Sequence, residues 1–101
     1  MDFHFEENDQ GCTIYIGGRL TFNDHEMMRA LIKEAGRRDK EQVIFDLKNL
    51  SFVDSAGVGM LLIANDELAS RQKKLTLRNA CGQVNHVIAV VHLSKLVAVD
   101  A

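Results

Sequence analysis

The feature that most constrains the fold is a nearly continuous apolar run, V-I-F-D-L, at residues 43–47. A run of this kind is typical of a central strand covered on both faces, as in parallel sheets with helices above and below. A polar turn, D-S-A-G at residues 54–57, follows it. After the turn, apolar residues recur at helical spacing to about Gln72, so the segment predicts a buried strand, a turn and a helix.

An N-terminal hairpin is predicted before this segment. Phe3 and Phe5 alternate with polar residues, which is the pattern of a strand with one buried face. Turn-forming residues at 8–11 lead to a second strand over about residues 12–20. The glycine pair at residues 17–18 allows this strand to bend near its end.

The other elements alternate in type along the chain. They are a helix over about residues 21–35 ended by Gly36, a strand over residues 75–78 and a helix over residues 84–91. In the first helix Arg29 and Lys33 face away from the apolar stripe. The pattern leaves open the type of the last segment, 93–100. This order predicts one α/β domain over residues 1–101, a mixed central β-sheet (an N-terminal hairpin, then alternating α and β) flanked by helices.

Composition and charge exclude several classes of function. The formal net charge is −2 and no block of basic residues occurs, so nucleic acid is not an expected partner. No apolar run approaches the ~20 residues that a membrane span needs, and the first residues do not resemble a signal peptide. Cys12 and Cys81 lack metal-ligand spacing and are predicted to be free thiols rather than a disulfide. We therefore expect a cytosolic protein with no metal or cofactor.

The polar turn places Ser55 at the start of the second helix. Unpaired backbone N–H groups and the positive end of the helix dipole lie beside such a hydroxyl, and a phosphate is stabilised there. The position is also that of an N-cap hydroxyl, which is common at helix starts. Position alone therefore leaves both interpretations open.

Other polar residues carry weaker signals of function. Asp46 lies inside the apolar run, and we expect it to point toward the loop end of the sheet and to bond to backbone. His25, His86 and His92 lack ligand spacing and are predicted to be surface or edge residues.

The order of elements and the segment L-S-F-V-D-S-A-G-V-G, residues 50–59, resemble the STAS family, and within it the bacterial anti-sigma factor antagonists. The resemblance covers essentially the whole chain, and its signature is D-S-[S/T/A]-G-[L/V]-G after an apolar strand. It implies that Ser55 is the phosphoacceptor and that Asp54 is the acidic residue beside it. Gly57 and Gly59 match the glycines that open the helix.

The resemblance also implies a partner-switching cycle. In such a cycle the unphosphorylated protein binds an anti-sigma factor that is itself a serine kinase of the histidine-kinase-like ATPase fold. Phosphorylation abolishes this binding, and a metal-dependent serine phosphatase restores it. The chain would be a monomer or weak dimer and not an enzyme. The implied partner-binding residues lie in two loops and the helix start: Thr21, Asn23, Asp54, Ser55, Ala56, Gly57, Val58 and Gly59.

Three segments depart from the family pattern, and one of them is the C-terminal glycine-leucine pattern, which is altered to L-S-K-L at residues 93–96. Ala56 stands where a small hydroxyl residue often follows the acceptor, which leaves Ser55 as the only local acceptor. G-R-L-T at residues 18–21 replaces an acidic G-E-[L/I]-D, so Arg19 reverses a charge beside the partner surface.

Three other functions compete with the partner switch. The first is a STAS subunit that acts without phosphorylation as a scaffold or accessory in an assembly or transport complex. The second is a small serine hydrolase, but Ser55 does not lie in a G-x-S-x-G nucleophile elbow and no residue is assigned as its base. The third is a response-regulator receiver phosphorylated at Asp54, but the first strand offers no acidic Mg²⁺ ligands at its end.

Overall fold

Strand β2 (Gly11–Leu20) organises the sheet because it is long enough to pair with three other strands. The computed structural model describes residues 1–100. Strand β1 (Asp2–Asn8) pairs with β2 as an antiparallel hairpin. Strand β3 (Gln42–Asp46) lies parallel to the first half of β2, and β4 (Leu50–Val53) lies parallel to its last three residues. The sheet is therefore mixed, with the hairpin as its antiparallel part.

Two further strands and three helices complete the fold. Strand β5 (Lys74–Arg78) pairs in parallel with β3, and β6 (Ala98–Asp100) pairs in parallel with β5. The strand order is β1-β2-β3-β5-β6, with β4 beside the end of β2. The helices are α1 (His25–Arg37), α2 (Ser55–Ala69) and α3 (Gly82–Val90). Helices α1 and α2 contact each other, and α3 packs on β4.

The core lies on one face of the sheet. Paired residues of adjacent strands point to the same face. Two such rows are at most 1% exposed: Cys12–Val43–Leu75 and Ile14–Phe45–Leu77. Burying an aliphatic or aromatic side chain of this size stabilises the fold by about 1.5–3 kcal/mol. On the other face Ile44 and Thr76 are only half-buried, so the two faces are less equally covered than the apolar run predicted.

The predicted α/β architecture is confirmed, including the mixed sheet, the hairpin and the flanking helices. Gly18 has a φ of +83°, and the pairing of β2 with β4 shifts register just after it. The glycine pair therefore gives the predicted bend because glycine adopts such a backbone conformation without a Cβ clash. The last residue of the predicted domain, Ala101, lies outside the described residues.

Several predicted boundaries were wrong. Helix α1 runs through Gly36 to Arg37, and the Arg71 side chain covers that glycine. The residues before α1 form a separate 3-10 turn, Phe22–Asp24. Helix α2 ends at Ala69 rather than near Gln72.

Strand β4 was not predicted, because its four residues are too few to show a period and its partner is distant in the sequence. The last segment, left open by its pattern, forms a 3-10 turn (Leu93–Lys95) followed by β6. None of the helices described within residues 1–100 has the length and apolarity needed to cross a membrane.

Candidate functional site

Asp54 caps helix α2 at the point where β4 ends. Its Oδ1 accepts a hydrogen bond of 2.7 Å from the Gly57 N–H, and its backbone oxygen accepts the first helical bond, 3.0 Å, from the Val58 N–H. Ser55 is therefore the first helical residue, and the alternative in which Ser55 is itself the N-cap is wrong. An Asp at the N-cap stabilises a helix because it pairs an otherwise free N–H and opposes the helix dipole.

The second oxygen of the Asp54 carboxylate joins α2 to the turn before α1. Asp54 Oδ2 accepts a hydrogen bond of 3.1 Å from the Phe22 N–H. That turn is itself held by a capping box, in which Thr21 Oγ1 accepts from the Asn23 N–H at 3.4 Å and Asp24 Oδ2 accepts from the Thr21 N–H at 2.8 Å. The two predicted loops therefore meet at Asp54.

Ser55 is the most accessible part of the helix start. Its side chain is exposed, and among residues 1–100 its hydroxyl has no hydrogen-bond partner. Ala56 and Val58 are half-buried and pack against the core. Asn23 is exposed and Thr21 is half-buried beside it. The predicted surface thus presents one free hydroxyl above a well-packed helix turn.

The two glycines of this turn have different surroundings. A Cβ on Gly57 would lie 2.5 Å from the Leu20 carbonyl oxygen and 2.5 Å from Val53 Cγ2, closer than real Cβ atoms approach. A Cβ on Gly59 would meet nothing within 4 Å. Gly57 therefore lets α2 lie directly on the sheet, whereas Gly59 leaves open space on the exposed side of the same turn.

Gln83 of α3 holds the strand end that carries Asp54. The Val53 N–H donates to Gln83 Oε1 at 2.9 Å, and Gln83 Nε2 donates to the Val53 carbonyl oxygen at 2.9 Å. The side-chain amide thus pairs with both backbone groups of Val53, as a neighbouring strand would. No local sequence pattern indicates this role, because the two residues are 30 positions apart.

Arg19 lies on the exposed surface near the site. It is paired with Phe52 across β2 and β4, and its guanidinium carbon lies 4.3 Å from the centre of the Phe52 ring. A cation–π contact at an exposed position contributes about 0.5–1 kcal/mol. The charge that departs from the family pattern is therefore fixed in place by an aromatic neighbour.

Asp46 has a structural environment, as predicted. It is 5% exposed and accepts hydrogen bonds from the Lys48 N–H at 3.0 Å, the Arg78 guanidinium at 3.1 Å and Asn79 Nδ2 at 3.0 Å. Burial raises the pKa of Asp46, but these bonds outweigh burial and hold the pKa below its ordinary value. The carboxylate joins the ends of β3 and β5.

The remaining candidates do not form a reactive cluster. His25, His86 and His92 are all exposed. Cys12 is a free thiol in the core, where burial raises its pKa, and Cys81 is an exposed free thiol. Within residues 1–100, no group of three or more histidine, cysteine and acidic residues is placed to hold a metal ion.

The family model described as "Mlab, STAS domain" matches residues 3–98. Because this match spans nearly all of the chain, the chain belongs to the STAS domain family, and the predicted membership is confirmed.

Similar proteins of known name agree with this assignment. A STAS-domain containing protein of Pseudomonas aeruginosa (strain UCBPP-PA14) is 29% identical over 87 residues, which are 86% of this chain and 85% of that protein. The anti-sigma F factor antagonist of Paenibacillus polymyxa is 38% identical over 58 residues, 55% of this chain but only 50% of that protein.

The fold is also similar to that of a solved antagonist. The anti-sigma factor antagonist SpoIIAA in its unphosphorylated form superposes with a TM-score of 0.77 at 26% identity, over 99% of this chain and 89% of that one. The Bacillus SpoIIAA in its phosphorylated form gives a TM-score of 0.69 at 25% identity, over 99% and 92% of the two chains.

Proposed function

We propose that this chain is the phosphorylation-regulated binding module of a partner-switching system. In its unphosphorylated form it binds an anti-sigma factor that is also a serine kinase of the histidine-kinase-like ATPase fold, and thereby releases the target of that factor. Phosphorylation of Ser55 abolishes the binding, and a metal-dependent serine phosphatase restores it. The partners supply the chemistry and this chain supplies the docking surface.

The observation that carries the proposal is the free, exposed hydroxyl of Ser55 at the first position of a capped helix. It lies in the D-S-A-G-V-G segment of a chain that belongs to the STAS family. Two similar proteins are named anti-sigma factor antagonists, and one of them has been solved in both unphosphorylated and phosphorylated forms.

The geometry favours a switch that acts on docking rather than on folding. A phosphate on Ser55 adds about −1.5 to −2 charges, and the helix N-terminus stabilises part of that charge. Asp54 already uses both carboxylate oxygens to hold the local backbone. We therefore expect the helix start to keep its structure while charge and bulk enter the partner surface. Truncating or opposing a buried polar contact costs several kcal/mol in such an interface, and each 1.4 kcal/mol is tenfold in affinity.

Phosphorylation is tested by incubating the protein with ATP and a serine kinase encoded beside its gene, followed by intact mass spectrometry. We expect the mass gain of one phosphate, which Ser55→Ala abolishes. Ser94→Ala removes another exposed serine and should leave the gain unchanged. A mass gain that persists in Ser55→Ala would contradict the assignment of the acceptor.

Binding is tested with the same kinase by calorimetry. Ser55→Ala should retain the affinity of the unmodified protein, whereas Ser55→Asp should weaken it by at least tenfold. Equal affinities for the two variants would contradict the switch.

A second function, a scaffold or accessory subunit that acts without phosphorylation in an assembly or transport complex, is favoured by Arg19. This residue replaces an acidic position of the antagonists and is held beside the site by Phe52. No mass gain with any candidate kinase, together with capture of the unphosphorylated protein in a stable complex, would favour this function.

A further inference from the structure

A groove of about 450 Å³ runs between α1 and α2. Four apolar side chains form what we call the groove floor: Met28, Ile32, Met60 and Ile63. Three basic side chains, the groove cations, line its walls: Arg29, Lys33 and Arg71. His25 and Glu67 complete the lining. The site is thus apolar at its base, with more basic than acidic side chains around it.

The groove cations have no partner of opposite charge. Within residues 1–100 none of them forms a salt bridge, whereas Arg37 at the end of α1 and Arg38 just after it both bind Glu34, at 2.7 and 2.9 Å. Three cations and one carboxylate give the groove a formal charge of +2, in a chain whose net charge is −2. This local reversal of charge favours an anionic occupant.

The groove floor is exposed mainly at Ile63, because Met28, Ile32 and Met60 are at most 9% exposed. Ile63 is 53% exposed, and Phe22, whose ring lies 5.2 Å from that of His25 at one end of the groove, is 67% exposed. Large apolar side chains rimmed by charge mark sites where a partner docks.

We propose that the groove binds an acidic amphipathic helix of a partner protein. The lining residues span positions 25–33 of α1 and 60–67 of α2, which at the rise of an α-helix correspond to about 12 and 10 Å, or about two turns. A helix laid in the groove would place its apolar stripe on the groove floor and its flanking carboxylates against the groove cations. This is the helix-in-groove mode of recognition.

The distribution of charge favours a helix over a single-chain anionic amphiphile. Arg29 and Lys33 are one turn apart on α1, and the Arg71 side chain, which comes from the loop after α2, lies against Gly36 near the end of α1. One terminal carboxylate can neutralise one of these cations, whereas glutamates at successive turns of a helix can reach all three. The site is distinct from Ser55 and requires no phosphate, so it extends beyond the proposed switch.

The test uses a fluorescein-labelled, helix-forming peptide of about four turns, with a leucine stripe flanked by glutamates on both sides. Binding is measured by anisotropy, and its position by NMR shifts of the methionine and isoleucine methyl groups. We expect shifts at the groove floor, and an affinity that falls at least tenfold when the glutamates are replaced by glutamine. Lys33→Glu and Arg29→Glu should each weaken binding about tenfold, because both residues are exposed and their charge is reversed at the site.

Lys74→Glu makes the same charge change at an exposed position outside the groove and should alter the affinity by less than about twofold. Ser55→Asp should also bind the peptide with unchanged affinity, so failure of the phosphorylation switch would leave this inference intact. Equal losses in Lys33→Glu and Lys74→Glu, or shifts away from the groove floor, would overturn it. So would sodium decanoate filling the groove while the peptide fails to displace it.

Discussion

Helices α2 and α3 both follow strands of the same sheet, yet their first turns are held in different ways. Asp54 caps α2 with its side chain, and Ser55 follows as an exposed first residue. Cys81 occupies the capping position of α3 without a side-chain cap bond, and Gly82, the next residue, has a φ of +57°. The start of α2 therefore has a side-chain cap, whereas the start of α3 has none.

The contacts around each helix start extend this difference. The α2 start is bonded to the end of β2 through Asp54 N–H and the Leu20 carbonyl oxygen at 3.3 Å, and to the Phe22–Asp24 turn through the Asp54 carboxylate. Val53, the residue before the Asp54 cap, is bonded to α3 through Gln83. Three elements thus fix the backbone around Ser55 without using its hydroxyl. The backbone at Ser55 is therefore held by bonds to adjacent residues, while the Ser55 side chain stays exposed.

The largest expected effect is the loss of stability when the glycine in the first turn of each helix is replaced by alanine. Gly57→Ala should destabilise the protein by about 3 kcal/mol, because the new methyl group meets a carbonyl oxygen and a valine methyl at 2.5 Å. Gly82→Ala adds a methyl group to open space and should cost only about 1 kcal/mol, through its positive φ. Urea denaturation measures the loss of unfolding free energy in both variants. Equal losses would contradict the close packing of the α2 start.

The second expected effect concerns the caps. Asp54→Ala removes both carboxylate bonds and should cost about 2 kcal/mol, whereas Cys81→Ala, at a position without a side-chain cap, should change stability by less than about 0.5 kcal/mol. Asp54→Asn keeps an oxygen for the Gly57 N–H but loses an acceptor for the Phe22 N–H. This variant should therefore recover about half of the stability that Asp54→Ala loses. Thermal and urea unfolding give these values. If the Asn variant were as unstable as the Ala variant, the whole loss of stability would come from the Phe22 bond.

The third expected effect concerns the bonds that join Gln83 of α3 to Val53 at the end of β4. Gln83→Leu leaves both backbone groups of Val53 without their partner and should cost about 1–2 kcal/mol. Amide hydrogen exchange at Val53 should accelerate more than exchange elsewhere in β4. Asn85→Leu, an exposed change on the same helix, serves as the control. Equal protection of Val53 in both variants would contradict the supporting role of α3.

Local patterns in the sequence were sufficient for the elements but not for their distant contacts. The hairpin, β3 and α2 were predicted because alternation, an apolar run and helical spacing each appear within a single segment. Strand β4 was missed because it depends on pairing between residues such as Arg19 and Phe52, far apart in the chain. Gln83 was missed for the same reason.

The same limit applies to the groove and to the cap. Arg29 and Lys33 were predicted to face away from the apolar stripe, and they are exposed, but only the packing of α1 against α2 makes them walls of a groove. For the cap, the turn itself was recognised, but only Ser55 was considered as the N-cap, and the cap is Asp54. Asp54 takes the cap because its two oxygens satisfy N–H groups from two segments, which a single serine hydroxyl does less well.

The smallest expected effect concerns Gly59, two residues after the packed glycine of the same turn. Gly59→Ala should stabilise the protein by about 0.5–1 kcal/mol, because alanine favours the helix and its methyl group meets open space. The same methyl group would stand on the exposed side of the turn that carries Ser55. If a partner docks there, the variant should unfold at a higher temperature yet bind the kinase more weakly. Gly59 would then lower stability while keeping the surface around Ser55 accessible to the partner. Unchanged binding by the variant would contradict this explanation.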